Sequence, residues 1–453
     1  VTSRLLAATA AVLPLAGCLW IPTPDPELAR GAVEARDSWA EAAPGGVVGD
    51  GWLAELGDPA LGPLVEEALA HNPDLAVAAA RWDEARALLR VAGALLQPRL
   101  DGFAGSLRSD AGESPPASRH DLGLQVGWEP DLWGRLRADR AAAVARAAAS
   151  RGTWAFARQS LAAAVAEAWF LALAANRQLA IQLDLVQAER FIAEVTRDKI
   201  DVGAASRLEA DVAEANLALA EDAVAQGEAA VVAARHALEI LLGRYPAAEI
   251  DVQGELPGVP PVPPAGIPSE LLERRPDIVA AEQLVAAAFH DVTAARAARL
   301  PRVLLTASLG TLLDPRATIW SIGADLLAPL YTGGELEGRV DAALARGRAA
   351  LARYVATARA AFREVEASLA NERLLALRQR QLELASERLR SASGIAEDRY
   401  RAGIIGILDL TQVRRQDFDT RAQLVRVRSE RLRQRIRLHL ALGGSFTAAE
   451  AAP

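Results

Sequence analysis

Apolar positions follow two different periods along this chain, and the change of period divides it. From Gly134 to Ile200 there is no proline, and Gly152 is the only glycine after Gly134. The stretch is dense in Ala, Leu, Arg and Glu, which favour helix, and it lacks the residue that an interior helix tolerates least. It reads as one helix of about 67 residues, roughly 100 Å long at 1.5 Å per residue. Gly334 to Tyr400 matches it in length and composition. There Val340, Leu344, Gly347, Leu351, Tyr354, Ala358, Ala361 and Val365 recur in steps of four and three. That is a heptad seam of many small residues, suited to close packing against another helix. Shorter helices are expected at Pro59–His71, Asp74–Leu96 and Ser206–Leu242. Ser206 and Glu209 stand at capping-box spacing, and Gly243 ends the last of these.

Elsewhere the period is two. Leu122, Leu124, Val126 and Trp128 alternate with Gly123, Gln125, Gly127 and Glu129, the pattern of a strand with one apolar face. Val303, Leu305, Ala307 and Leu309 alternate with Leu304, Thr306, Ser308 and Gly310. Trp320, Ile322, Ala324 and Leu326 alternate with Ser321, Gly323 and Asp325. Leu100 to Arg108 alternates less clearly, with Phe103 and Leu107 as its bulky apolar members. A loop is expected at Ser109–Arg119 and a turn at Asp314-Pro315-Arg316.

The plan occurs twice. Asn72-Pro73-Asp74 is echoed 203 residues later by Arg275-Pro276-Asp277, and Pro98-Arg99 by Pro301-Arg302. Gly203, Leu208 and Leu242 are echoed 200 residues later by Gly403, Leu408 and Leu442. Pro130 has its counterpart in Pro329. An internal duplication of about 200 residues is expected, too long a period for a solenoid. Pro98, Pro130, Pro301 and Pro329 then mark four helix–strand junctions, where the backbone changes direction.

The expected strands hold about 10 residues, and a membrane-crossing strand needs roughly 9–11. Trp128, Trp133, Trp320 and Tyr331 fall near strand ends, as membrane-interface aromatics would. Open sheet edges do not survive in lipid, so four spanning strands require oligomerisation. The same alternation also fits a soluble β-subdomain on a helical protein.

Composition narrows this further. The chain is 51% hydrophobic but only 5% aromatic, a bias toward long helices over compact cores. A net charge of −8 gives no reason to expect nucleic-acid binding. The arginine run Arg426–Arg437 reads as a solvated or intersubunit helix face. The five histidines show no metal-ligand spacing and no nucleotide-binding glycine loop is present, so neither metal, cofactor nor enzymatic activity is expected. Lys199 is the only lysine and there is no methionine, so Val1 reads as a start codon taken literally. Arg4 followed by Leu5–Ala16 reads as a signal peptide. Leu15-Ala16-Gly17-Cys18 resembles the bacterial lipoprotein box, making Cys18, the only cysteine, the expected lipidation site. Leu19 after it suits outer-membrane sorting. No transmembrane helix is expected.

Three motifs carry a family resemblance: Leu271-Leu272-Glu273-Arg274-Arg275-Pro276-Asp277-Ile278-Val279-Ala280-Ala281-Glu282, Trp128-Glu129-Pro130-Asp131-Leu132-Trp133-Gly134-Arg135, and Pro329-Leu330-Tyr331-Thr332-Gly333-Gly334. With them the chain resembles the TolC-like outer-membrane efflux channels, in their lipoprotein NodT/OprM-type branch, from Cys18 to about Gly444. The resemblance implies a mostly α fold with a small β part. Long antiparallel coiled-coil helices form a trimeric α-barrel through the periplasm, and four strands per chain build a twelve-stranded transmembrane β-barrel. It implies a homotrimer in outer-membrane lipid that works with a periplasmic adaptor and an inner-membrane pump, and conducts without catalysis. It also places a periplasmic aperture at the helix turns Asp201–Ser206 and Arg401–Gly406. Asp409 matches a position where relatives carry an aperture aspartate. Gln412 falls where a second aspartate is common, and Asp211 lies in the equivalent part of the first repeat. A ring of Asp409 carboxylates would favour cations, while the same residue also fits ordinary stabilisation of a helix N-terminus.

The expected organisation is a signal peptide at 1–17, a lipidated extended tether at 18–58, and a first repeat at 59–243 with strand pair 99–129 and long helix 134–200. A proline-rich linker follows at 244–268. The second repeat is 269–443, with strand pair 302–328 and long helix 334–400, and 444–453 is expected as a disordered tail. A helical scaffold lipoprotein that never crosses the membrane is the competing reading.

Overall fold

A computed structural model describes residues 29–41, 44–109, 117–313 and 316–447. The signal peptide, Cys18, both hairpin turns and residues 448–453 lie outside the described residues. The elements in order are α1 (Trp52–Glu55), α2 (Leu61–His71), α3 (Pro73–Ala94), β1 (Arg99–Ser109), β2 (Ala117–Trp128), α4 (Arg135–Asp201) and α5 (Arg207–Leu241). Then come α6 (Pro268–Arg274), α7 (Pro276–Ala297), β3 (Arg302–Leu313), β4 (Arg316–Leu327), α8 (Glu335–Arg401) and α9 (Ile407–Ala441). The architecture is mostly helical with four antiparallel strands, as expected.

Element lengths recur between the halves. α3 and α7 each have 22 residues, α4 and α8 each 67, and α5 and α9 each 35. This agrees with the expected duplication. The strands extend further than expected at the first hairpin: β1 runs to Ser109 and β2 begins at Ala117, which shortens the loop.

The chain divides into two compact units. Of the described residues, the first holds those within 29–34, 79–154 and 277–358, and so contains all four strands. Its helices pack through small residues. Ala138, Ala142, Ala287, Ala343 and Ala358 are all buried, Tyr354 is fully buried, and Trp82 stacks on Trp154 at 5.1 Å. α7 has the length and mean hydropathy, 1.2, of a membrane-crossing helix. Yet Glu282 and Asp291 within it are engaged by Arg30 and Arg146, which marks a packed helix.

The second unit holds the described residues within 35–78, 155–276 and 359–447. Here Phe170, Val165, Val365, Leu238 and Ile436 are fully buried. The described part of the expected tether is packed down, not free. Trp39 donates from its indole to the carbonyls of Ala265 and Gly266, both at 3.1 Å. The Ala40 amide donates to Glu366 at 2.8 Å, Trp52 is 1% exposed, and the Trp169 indole donates to Asp58 at 2.7 Å. The expected disordered tail is corrected at its start: the Ser445 amide donates to Asp50 and the Gly51 amide to Ser445, each at 2.8 Å, and Phe446 is buried. Two polar groups meeting backbone and an aromatic meeting a core outweigh the absence of helical periodicity.

Two helical expectations also change. In the heptad seam Val340, Tyr354, Ala358, Ala361 and Val365 are buried, but Leu344 is 38% exposed and Ala343 is buried instead. A seam of period 3.5 on a helix of period 3.6 drifts, and here the smaller residue takes the inner place. The arginine run of α9 is not simply solvated. Arg435 is 1% exposed, and both Arg431 and Arg435 donate to the buried Glu372, at 2.9 and 2.8 Å. Arg433 and Arg437 both engage Glu167.

Candidate functional site in the strand face and the helix turns

The sheet has the order β1-β2-β3-β4, all antiparallel. β2 pairs with β3 from Asp121–Leu312 to Trp128–Leu305, which joins the two halves of the chain. β1 and β4 are the edges. Directly paired residues share a face, so the register fixes both faces. One carries Leu100 and Ala104 of β1, Leu122, Leu124, Val126 and Trp128 of β2, Val303, Leu305, Ala307 and Leu309 of β3, and Trp320, Ile322, Ala324 and Leu326 of β4. The three alternating sets expected from the sequence thus line up on one side. That side is open: Ile322 is 80%, Trp320 71% and Leu326 71% exposed. Each run of seven residues extends roughly 20 Å at about 3.4 Å per residue. Barrel proteins carry an apolar band about 25 Å tall. Toward the hairpin turns the same face becomes polar, with Ser118, His120, Thr311 and Thr318.

The opposite face carries Arg99, Asp101, Gln125, Thr306, Ser308, Ser321 and Asp325. Asp101, Gln125, Ser308 and Ser321 form one row across all four strands, and the Ser308 and Ser321 hydroxyls lie 2.7 Å apart. Phe103 and Leu107, the bulky apolar members of the unclearly alternating β1, are on this polar face. The reason lies in Gly123 and Gly310. A Cβ at Gly123 would lie 2.6 Å from the Phe103 ring, and one at Gly310 3.3 Å. The ring covers two adjacent glycines that would otherwise leave backbone bare.

Pro98 and Pro301 directly precede β1 and β3, Pro130 lies between β2 and α4, and Pro329 follows β4. Trp128 and Trp133 tie this end of the sheet to the junctions: their indoles donate to the carbonyls of Leu96 (3.2 Å) and Pro301 (2.5 Å). Tyr331, 91% exposed, follows β4 at the same end. Trp320 departs from its expected place near a strand end. It is the fifth residue of β4, opposite Leu309, where the apolar runs of β3 and β4 give way to Thr311 and Thr318, so it stands at the turn-side margin of the apolar band.

The helix turns lie in the second unit. Gly203 and Gly403 take φ of 73° and 72°, which L side chains adopt only with strain, and each closes its long helix. Between them the cluster Ile192, Ala213, Ala396, Tyr400, Ile407 and Leu410 is buried. Ser206 caps α5 as expected: its hydroxyl accepts from the Glu209 amide, and the Glu209 carboxylate accepts from the Ser206 amide at 2.7 Å. At the equivalent place in α9 the N-cap is Gly406, with no side-chain cap. Asp409 therefore occupies the third helical position without the reciprocal partner that engages Glu209, and it is exposed. Gln412 is exposed as well, and Asp211 pairs with Arg207 at 3.1 Å.

The sequence reading missed the buried charges behind these turns. Arg414, 5% exposed, donates to Glu397 at 2.8 Å and to the Ala188 carbonyl at 2.9 Å. Glu189 is buried, and its carboxyl is pushed above the usual range by that burial. Only pairing across helices distinguishes such residues from a solvated face.

Strands of membrane-crossing length with one apolar side, carried on 67-residue helices, define an outer-membrane channel class. The chain belongs to the outer membrane efflux protein family, whose pattern it matches over residues 64–244 and 267–444. It is similar to the outer membrane protein OprJ of Pseudomonas aeruginosa, 32% identical over 96% of this chain and 94% of that one. The pyoverdine export outer membrane protein OpmQ of the same species is 31% identical over 87% of each. Among solved structures, the outer-membrane channel OprN aligns with a TM-score of 0.85 and 29% identity, covering 94% of this chain and 99% of that one. The Neisseria gonorrhoeae MtrE outer membrane channel aligns at 0.83 and 26%, covering 95% and 98%. The protein is an outer-membrane efflux component.

Proposed function

We propose that three copies of this chain close their sheets into one twelve-stranded barrel through the outer membrane. The 67-residue helices form the wall of the duct on the periplasmic side. Solutes delivered by an inner-membrane pump through a periplasmic adaptor pass through it passively, and nothing is catalysed. The observation that carries this reading is the register of the sheet. It gathers the bulky apolar residues of β2, β3 and β4 on one exposed side and leaves β1 and β4 as open edges. An exposed face of this kind is costly in water and favourable in lipid, but lipid tolerates no open edge. Pairing β4 of one copy with β1 of the next satisfies both requirements. A relative named as a probable efflux pump outer membrane protein, TtgC of Pseudomonas putida, supports the assignment of a pump partner.

On the same reading Cys18 carries the lipid anchor, and Asp409 of each copy contributes to an acidic ring at the periplasmic aperture. Gln412 replaces a second such ring with an uncharged one. The non-channel scaffold reading leaves the apolar face without a role.

The test is covalent. Cysteines are introduced in pairs, one in β1 and one in β4, and the protein is oxidised in native membranes. Closure predicts a three-chain species for the pairs in register. A ladder that never exceeds one chain for any pair overturns the proposal.

A further inference from the structure

A cavity of about 370 Å³ lies in the strand-bearing unit, between the first turns of α4 and the middle of α7. Its wall combines small apolar residues, among them Val144 and Val285, with five polar ones, Arg137, Arg140, Glu282, Gln283 and His290. Arg137 is held by Asp131 at 3.1 Å, and Glu282 by Arg30 at 3.6 Å. Asp291, next to the cavity residue His290, is taken by Arg146. Arg140 is different: it lines the cavity, and no ion pair or hydrogen bond engages it among the described residues. Arg140 is therefore the one charged side chain of the lining without an ion-pair partner among the described residues.

His290 closes another part of the wall. It is 9% exposed, its Nδ1 is buried without a partner, and burial holds the ring below its ordinary pKa and hence neutral at pH 7. The Gln283 side chain adds an amide. A cavity of this size, with an apolar wall and convergent polar groups, is the ordinary form of a small-ligand site. A free guanidinium selects a phosphate or carboxylate, and the alanine and valine wall selects a short hydrocarbon.

We infer that this cavity binds an amphipathic anion, a phosphate or carboxylate head on an apolar chain, with the head on Arg140 and the chain against Val144 and Val285. Two sources have this chemistry. Arg140 is seven residues beyond Trp133, so it lies about 10 Å along the helix from the base of the sheet. That suits an anionic lipid if the strands span the membrane. A soluble amphiphile would fit the same groups. The inference does not need the barrel to close, because every residue named belongs to one copy.

The experiment uses the full-length protein in nanodiscs of phosphatidylcholine, with hexyl phosphate as the probe. Hexyl phosphate should bind saturably by calorimetry, and hexanol and inorganic phosphate at least tenfold more weakly, since each supplies half of the recognition. Arg140→Gln should weaken hexyl phosphate binding about tenfold or more. Val144→Glu, which sets a carboxylate beside Arg140, should do the same, and both positions are exposed enough to leave the fold intact. Phosphatidylglycerol in the nanodisc that competes with the probe assigns the site to lipid. Binding without such competition assigns it to a soluble amphiphile. Equal affinity for hexyl phosphate in the wild type and both variants, or equal affinity for hexanol, overturns the inference.

Discussion

Leu124 and Leu309 stand directly opposite each other across the β2–β3 ladder, the pairing that joins the two halves of the chain. Both lie in the apolar band, at 52% and 59% exposure, with Trp320 next in the same row. If that row meets lipid, a charge there is expensive, about 2–4 kcal/mol for arginine at the bilayer midplane. Leu309 lies toward the turn-side margin of the band, so Leu309→Arg should destabilise the protein in lipid vesicles by about 1–3 kcal/mol in a denaturant titration, between the midplane and interface costs. Ser308→Arg, one residue along and on the polar face, should cost under about 1 kcal/mol. Equal costs for the two would show that the faces are not chemically distinct.

The Phe103 ring rests over Gly123, but it is not the only neighbour there. A Cβ at Gly123 would also lie 2.6 Å from the Leu309 carbonyl oxygen and 2.7 Å from the Gly310 Cα. Gly123→Ala is expected to destabilise the sheet by about 1–3 kcal/mol, as overpacking does. Adding Phe103→Ala should not restore stability, because two backbone atoms of β3 remain in the way. Rescue by the double variant would place the tight contact on the ring alone.

His439 gives a pH dependence with a definite sign. It is 2% exposed, stacks on Trp52 at 5.9 Å, and neither ring nitrogen has a hydrogen-bond partner among the described residues. Burial, then the Arg435 charge, lowers its pKa from 6.5 to about 4. Glu55, 3.8 Å away, favours protonation, but its half-exposed carboxylate does not offset the burial. Above pH 6.5 neither folded nor unfolded histidine is charged. As pH falls from 6.5 toward 4 the unfolded chain takes up a proton that the folded chain refuses. Stability should fall by about 1.4 kcal/mol per pH unit there, roughly 3 kcal/mol in all. Urea midpoints from pH 7.5 to 4.5, with His439→Phe as reference, isolate this share. Identical pH slopes for the two proteins would contradict it.

Asp409 lacks the capping partner that engages Glu209, which leaves its carboxylate free to act at an aperture. Asp409→Ala should raise single-channel conductance and lower cation preference, with little change in melting temperature. Lower stability with unchanged conductance and selectivity would make it a helix-terminus charge only.

Much of this fold is legible in the residues themselves. The long helices show because proline is absent for 67 positions, and the strands because Leu122–Trp128, Val303–Leu309 and Trp320–Leu326 alternate cleanly. β1 was harder to read. Its bulky residues sit on the polar face, and only the cross-strand glycines explain that. The packed segment at Trp39–Asp58 and the burial of Arg435 escape sequence reading for a related reason. Each depends on a partner more than 60 residues away, Ala265 for Trp39 and Glu372 for Arg435. Local pattern carries no trace of such partners. The aperture residues rest on family resemblance, since a single exposed aspartate has no pattern of its own.

The most direct measurement is the conductance of the purified, assembled protein in a planar lipid bilayer. A passive duct predicts discrete, long-lived conductance steps without any energy source. An assembled oligomer that inserts yet passes no current, with Asp409→Ala equally silent, would contradict the duct and return the protein to a scaffold.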